Sequence, residues 1–356
     1  MNASVIAIQP EAATLQSPRF PLDQWYVAGF STDFKDQPVA RTFLNQKVVL
    51  FRTLDGQVAA LEDRCCHRSL PLSCGTVEGA GLRCGYHGML YSPAGQCVEI
   101  PGQDRIPAKA KVRAYTVVEK NHIVWIWMPK TAGAAPSKDA PDYPFHDDPR
   151  FKHGTGHVHY KAPWQLVHDN LLDLSHLGYV HLKTIGGNAK VHMNADMKVS
   201  ADGDQVRVVR HMPGSTPPPT YTAAWPFGEK CDRWQEIEFH LSHLRIWTGA
   251  VEAGTDALDN PDRGGFHMRG FHGVTPETDE TCHYFWGIAS NKHPDMPENI
   301  EEVIKQTAFT FDEDRVVIEA QYQNMIDFGD QATWTDIHVD VGANRARRVV
   351  ARLLAT

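Results

Sequence analysis

Residues 65–87, CCHRSLPLSCGTVEGAGLRCGYH, leave this chain few folds to choose from. Cys65-x-His67 is followed by sixteen residues and then by Cys84-x-x-His87, so two separate short loops each offer one thiol and one imidazole. Gly85 and Gly88 lie around His87, and Gly75, Gly79 and Gly81 lie between the loops. Glycine there lets the backbone bend sharply and aim N–H groups at sulfur.

The order of the donors decides between metals. A zinc finger gathers its two Cys in one half and its two His in the other. Here each loop supplies one soft and one borderline ligand. That is what a Rieske 2Fe-2S cluster needs, with two thiolates on one iron and two neutral imidazoles on the other.

The 356 residues are enough for two domains, and 42% hydrophobic with 22% charged residues is the balance of a globular protein with a sizeable core. No apolar run approaches the roughly 18 residues of a membrane span. The opening MNASVIAIQPEAATLQSPRF has neither a charged leader nor a clear apolar core, and residues 1–21 read as a flexible extension. Seven cysteines cannot all pair, and at least two are claimed as thiolates, so a reducing compartment, the cytoplasm, is expected. A net charge of -8 argues against a nucleic-acid surface and suits a basic face on a protein partner.

Residues 22–130 read as a small antiparallel β domain. The runs WYVAGF, VVLFRT, VAALED, YTVVEK and HIVWIWM are rich in β-branched and aromatic residues, with turns at Asp55-Gly56 and at Pro93 to Gly95. The Pro-, Ala- and Asp-rich stretch that follows has no apolar period and makes residues 131–150 a linker. Residues 151–356 form the second domain.

That domain carries a second constellation. In PWQLVHDNLLDLSHLGYVHLKTI, Leu166, Leu171, Leu172 and Leu174 predict a buried helix holding Asp173, His176 and His181. The two histidines are five residues apart, about 140° around an ideal helix. A break at Gly178 brings them to one face. Two His and one carboxylate form the facial set of mononuclear non-haem Fe(II) oxygenases, which leaves positions open for dioxygen. The carboxylate comes from a long helix predicted over residues 298–322. Its apolar stripe runs through Thr307, Phe311 and Ile318 and includes Asp314, whereas Asp312 lies on a polar face with Lys305, Arg315 and Glu319. A carboxylate on an apolar face is costly unless paired or metal-bound, so Asp314 is chosen over Asp312 and Glu313. The C-terminal NRARRVVARLLAT reads as a surface helix packing its Val349, Val350 and Leu353 side.

With both motifs in view, CCH and CGYH at 65–87 and DNLLDLSHLGYVH at 169–181, the chain resembles the Rieske non-haem iron oxygenases over residues 22–325. GQCVEIPGQDRIP, TPETDETCHYFWG and FDEDRVVIEAQ are most similar to the single-component-oxygenase branch, which contains vanillate O-demethylase, toluenesulfonate methyl-monooxygenase and dicamba O-demethylase. The resemblance implies an α+β fold: an antiparallel β Rieske domain followed by a helix-grip domain, an antiparallel sheet around a long helix. It implies Cys65, His67, Cys84 and His87 as cluster ligands and His176, His181 and Asp314 as ligands of a mononuclear Fe(II). It also implies a head-to-tail homotrimer in which Asp173 bridges His87 of one subunit to His176 of the next, with Asn170 in support. A ligand His normally gives its other N–H to such an acceptor.

The implied activity is that of a terminal oxygenase using O2 and electrons from a separate flavin and iron–sulfur reductase, with or without a ferredoxin, fed by NAD(P)H. Demethylation of an O- or N-methyl aromatic with formaldehyde release is favoured over methyl or ring hydroxylation, dihydroxylation included. Residues 220–290 interleave aromatics, His and Arg, so Trp225, His243, Trp247, His267, Phe271 and Trp286 are the expected pocket, with Arg245 and Arg269 as possible anion clamps. Two other classes remain to be tested: a Rieske electron carrier, and a metal-free helix-grip ligand-binding module. Iron in excess of the cluster separates both from the oxygenase.

Overall fold

A computed structural model describes residues 19–355. The N-terminal domain is built from three small antiparallel sheets. One orders Gln24–Phe30, Ile123–Met128 and Val117–Lys120 side by side. The second joins Val39–Phe43, Gln46–Arg52, Val58–Glu62 and Ala114–Tyr115, and the third joins Thr76–Glu78, Gly81–Arg83, Leu90–Tyr91 and Cys97–Glu99. The five apolar runs of the sequence all fall in strands. The short strands of the third sheet escape a pattern search because two or three residues carry no period.

Ile123–Met128 is buried at every position. A strand covered on one face alternates, and one covered on both does not. Val124, Ile126 and Met128 join the core of their own domain, while Ile123, Trp125 and Trp127 meet Phe271 and Phe285 of the second domain.

The second domain is a seven-stranded antiparallel sheet. From one edge it runs Phe151–Tyr160, Cys282–Asn291, Phe266–Pro276, His243–Glu252, Cys231–His240, Gln205–Ser215 and Asp196–Asp202. Its first strand therefore pairs with its last, and the chain crosses between them through Trp164–Leu172 and the short turns after it. The long helix Asn299–Phe328 lies against the same face and ends six residues beyond the 298–322 expected. The helix Val341–Ala355 closes that layer, with Val349 and Val350 buried and Leu353 packed against the core. The α+β helix-grip architecture is thus the observed one.

The segment expected as a linker is not a free connection. Tyr143 and His146 are buried, the Tyr143 N–H donates to Asn121 Oδ1 at 2.8 Å, and Arg245 donates to the Asp142 carbonyl at 2.5 Å. The three aromatic rings of Tyr143, Phe145 and His146 supply the packing that the surrounding Pro, Ala and Asp lack. The extension expected over residues 1–21 lies outside the described residues as far as 18. Beyond that point Phe20 is buried and Arg19 bonds Asp279 of the second domain, so residues 19–21 belong to the folded body.

Candidate active site

The two N-terminal ligand loops are built alike. Ser69 N–H returns to the Cys65 carbonyl at 3.0 Å, and Gly88 N–H to that of Cys84 at 3.1 Å, so each thiol opens a closed turn that lifts its histidine outward. Asp63 pins the support by accepting from both N–H and hydroxyl of Ser73 at 2.7 Å. Cys65 and Cys84 are each 2% exposed, and the His67 and His87 rings lie 4.5 Å apart at the exposed tip. Burial raises the Cys84 thiol's pKa against the pull of the Tyr86 and His87 N–H groups and with the neighbouring Cys65. Two buried sulfurs side by side, N–H groups aimed at one of them and two imidazoles at the tip are the donor set of a mixed thiolate–imidazole cluster. Cys66 points to Tyr91 Oη at 3.2 Å, and Cys74 is exposed.

In the second domain the helix Trp164–Leu172 ends at Asp173, whose backbone turns extended (φ -116°, ψ 94°). The break thus falls before both histidines and not at Gly178, which sits inside the short helix Leu177–Val180. Glycine is needed there for another reason: a Cβ would stand 2.2 Å from Ala189 Cα. The turn brings His176, His181 and Asp314 together, with one donor atom of each within 4.8 Å of the others. Asp314 Oδ1 lies 3.4 Å from His176 Nε2 and 3.1 Å from His181 Nε2, and it accepts from Asn170 Nδ2 at 3.2 Å.

Burial opposes the charge on Asp314, but the bonds from His176 and His181 hold its carboxyl well below the usual range. An ionised, 6% exposed carboxylate facing two imidazole nitrogens suits a divalent cation. Of the two alternatives considered in the sequence, Asp312 pairs with Arg315 at the surface. Glu313 does something sequence reasoning missed: its Oε2 lies 2.8 Å from His181 Nδ1, the nitrogen that faces away from Asp314. The only signal for it was its place beside Asp314.

Asp173 departs from expectation. His176 Nδ1 bonds the Asp173 main-chain carbonyl at 2.6 Å, while the carboxylate accepts from Ser175 N–H at 2.8 Å as the cap of the next turn. One carboxylate oxygen caps that turn, and the ring is met by the main chain instead. It lines an open surface groove with Asn170, His176, Val317, Trp334 and Arg347.

Behind the triad lies an enclosed cavity between the helical layer and the sheet. Leu171, Leu174, Leu177 and Phe311 line one wall, and Gln235, Ile246, Thr248, Met268, Gly270, His272 and Ile288 the other. Gly270 makes the hollow, since a Cβ there would meet His272 Nε2 at 2.5 Å.

None of the six residues expected to form the pocket lines this cavity. Trp247 and His267 stack on the opposite face with Trp234, and His243 and Phe271 pack there against Trp125. Arg245 and Arg269 share that face, over Tyr143 and over Trp247. Trp225 sits beside His293, and Trp286 covers Gly156 and Phe311 and lines an outer groove. For His243, Trp247, His267 and Phe271 the reason is parity: the sheet is buried on both faces, so aromatic content does not mark the ligand side, and the cavity belongs to the alternate residues of the same strands. Trp286 shares the face of Ile288 but lies farther along the strand over Gly156, and Trp225 follows a short helix.

Residues 24–116 match the Rieske [2Fe-2S] domain, and residues 160–356 match the vanillate O-demethylase oxygenase C-terminal domain. The chain belongs to the Rieske oxygenases of the vanillate O-demethylase family. This Rieske oxygenase is 37% identical to the toluene-4-sulfonate monooxygenase system iron–sulfur subunit of Comamonas testosteroni, over 93% of this chain and 96% of that one. It is 35% identical to the dicamba O-demethylase oxygenase component of Stenotrophomonas maltophilia, over 85% and 88%. Crystal structures of dicamba monooxygenase superpose on it, with dicamba bound at a TM-score of 0.85 (31% identity, 94% of this chain and 98% of that chain). With non-heme iron and dicamba the TM-score is 0.78 (29% identity, 95% and 98%). As a Rieske oxygenase component the chain is an oxidoreductase that carries a Rieske cluster and a mononuclear iron and is served by a separate reductase. No described helix is long and apolar enough to cross a membrane.

Proposed function

We propose that this oxygenase removes methyl groups from oxygen or nitrogen of small aromatic compounds, with Cys65, His67, Cys84 and His87 holding the cluster and His176, His181 and Asp314 the iron. The observation that carries the reading is the meeting of two imidazoles and one ionised carboxylate on the wall of an enclosed, mainly apolar cavity. When bound, the iron supplies dioxygen activation with electrons relayed by the cluster, and oxygen inserted into a methyl C–H beside O or N yields an adduct that releases formaldehyde.

The protein's own contribution is positioning and dryness. Glu313 accepts a hydrogen bond from Nδ1–H of His181 and the Asp173 carbonyl one from Nδ1–H of His176, so both Nε2 lone pairs are left for metal. Asn170 holds Asp314. Ile246, Met268 and Ile288 face Leu171 and Leu174 across a space that suits a flat ring, and their side chains exclude water.

A head-to-tail homotrimer is part of the proposal. His67 and His87 are exposed at the tip of their domain, and His176 lines an open groove with the exposed side chains Val317 and Trp334, a seat for such a tip. The reductase is taken to be a flavin and iron–sulfur protein drawing on NAD(P)H, directly or through a ferredoxin. A cytoplasmic setting is supported by seven cysteines that are all free.

The test is formaldehyde release. Purified holoenzyme, a flavin and iron–sulfur reductase and NADH are offered methoxy and N-methyl arenes, and formaldehyde in step with NADH consumption is the expected result. Hydroxylated products that keep the methyl group, with no formaldehyde, would replace demethylation by hydroxylation.

A further inference from the structure

The hydroxyl donors inside the cavity are all spent. Thr307 donates to the Val303 carbonyl at 2.7 Å and Thr310 to that of Thr307 at 2.6 Å. Thr248 donates to the Trp234 carbonyl at 3.1 Å, so the 2.6 Å contact between Tyr221 and Thr248 is donated by Tyr221. Asn170 is committed to Asp314, and His272 bonds Tyr284 through Nδ1 at 2.7 Å, which leaves its Nε2 over Gly270 as a donor in one tautomer and an acceptor in the other.

Gln235 is different. It is 1% exposed, it stands opposite Thr248 on the next strand and Arg210 on the other side, and it lines the cavity. Arg210 Nη1 donates to its Oε1 at 3.2 Å. A guanidinium has donors only, so this bond settles which end of the amide faces which way: oxygen to Arg210, NH2 away from it. Among the described residues Nε2 has no protein partner.

The charge behind Gln235 is only partly compensated. Arg210 and Arg233 are both 2% exposed and neither has a salt bridge among the described residues. Arg210 otherwise donates to the His192 carbonyl, and Arg233 to the Ile185 and Gly186 carbonyls, and the Nε of each has no partner. The Asp173 carboxylate acts on Arg210 through space and the Tyr221 ring lies 4.9 Å from Arg233, so two buried cations share one nearby carboxylate and a ring face, a balance that still favours an anion nearby.

We propose that Gln235, held by Arg210, is the residue that selects the substrate: its NH2 donates to an oxyanion on the aromatic ring, a carboxylate or a sulfonate, with the field of Arg210 and Arg233 behind it. This rests on the demethylation reading only for the choice of probes. A charge-assisted bond from a fixed donor is about twice as strong as a neutral one, which sets the expected preference at about tenfold or more.

Anaerobic calorimetric titration of the holoenzyme with 4-methoxybenzoate, 4-methoxybenzenesulfonate and 4-nitroanisole, the neutral isostere, tests it. One or both anions should bind about tenfold or more tighter than the nitro compound, and the tighter anion identifies the headgroup. Gln235→Glu keeps an acceptor for Arg210, removes the donor and adds a negative charge, and should reverse the order. Gln235→Met removes the donor without the charge and should narrow the gap. Equal affinities in the wild type, or an anion preference unchanged in both variants, overturns the proposal. Formaldehyde, measured separately under turnover, tells the two readings apart: an anion preference that responds to Gln235 but yields no formaldehyde supports this assignment and sinks demethylation.

Discussion

Glu313 and His181 form a carboxylate–imidazole pair at 2.8 Å whose other end is Asp314, the very next residue of the helix. One helical turn thus reaches one ring from both sides. Such outer partners fix the tautomer and the ring direction of a metal-binding histidine.

Glu313→Gln therefore weakens the hold on iron without touching a ligand. The expected loss is about tenfold or more in iron affinity, the usual range for such partners, read as faster iron loss to a chelator with the Rieske EPR signal unchanged. An unaltered release rate would leave Glu313 with no part in the site.

Asp173 separates two roles that a single alanine change would confuse. Because its carboxylate caps Ser175 N–H, Asp173→Ala should cost about 1 kcal/mol of stability. Asp173→Asn keeps the cap. The bond to His176 comes from the main chain and survives both changes, so both variants should retain iron. If the carboxylate also meets His87 of a neighbouring subunit, the Asn variant melts like wild type yet loses turnover. Normal turnover there would confine Asp173 to capping.

Gly270 lies at the centre of the cavity wall. Gly270→Ala places a methyl against His272 Nε2, where only 2.5 Å is free. Overpacking of this kind costs about 1–3 kcal/mol, and the hollow becomes smaller. A lower melting temperature with a sharper loss of affinity for bulky ring substituents than for small ones is expected. Unchanged selectivity would mean that the ring binds elsewhere.

Acid should destabilise the fold through its buried histidines. Burial pushes His168 down to about 3, and His146 and His267 down to about 4. These rings are neutral when folded and take up protons below about 6.5 when unfolded. Their contribution is therefore whole above pH 6.5 and is lost as pH falls toward 4. For His168 alone the loss at pH 5 is about 2 kcal/mol. Melting temperature should fall steadily between pH 7 and 5, and His168→Phe, packed between Trp164 and Phe239, should flatten that slope. A flat profile for wild type would contradict the burial of these rings as neutral groups.

Much of the site was legible before the fold. The spacing of Cys65, His67, Cys84 and His87 specifies its chemistry because a cluster constrains both the donor type and the loop, and Asp314 stands out as a charge on an apolar stripe. Other parts were hidden for physical reasons. Glu313 acts through a ring 132 positions away, which no local pattern records. The turn of the chain at Asp173 follows from its carboxylate finding Ser175, a choice that competes with helix and shows only in three dimensions. The pocket was misread because a sheet covered on both faces has aromatic residues on both, and the choice of face requires knowing what lies beyond it.

That double coverage has a consequence for redesign. Along Phe266–Pro276 and its neighbours, two interleaved sets of residues answer to separate demands: Trp247, His267, Arg269 and Phe271 to the outer packing layers, and Gln235, Ile246, Thr248, Met268, Gly270 and Ile288 to whatever occupies the hollow. A library confined to the second set can rewrite substrate choice while the seam between the two domains keeps its original residues.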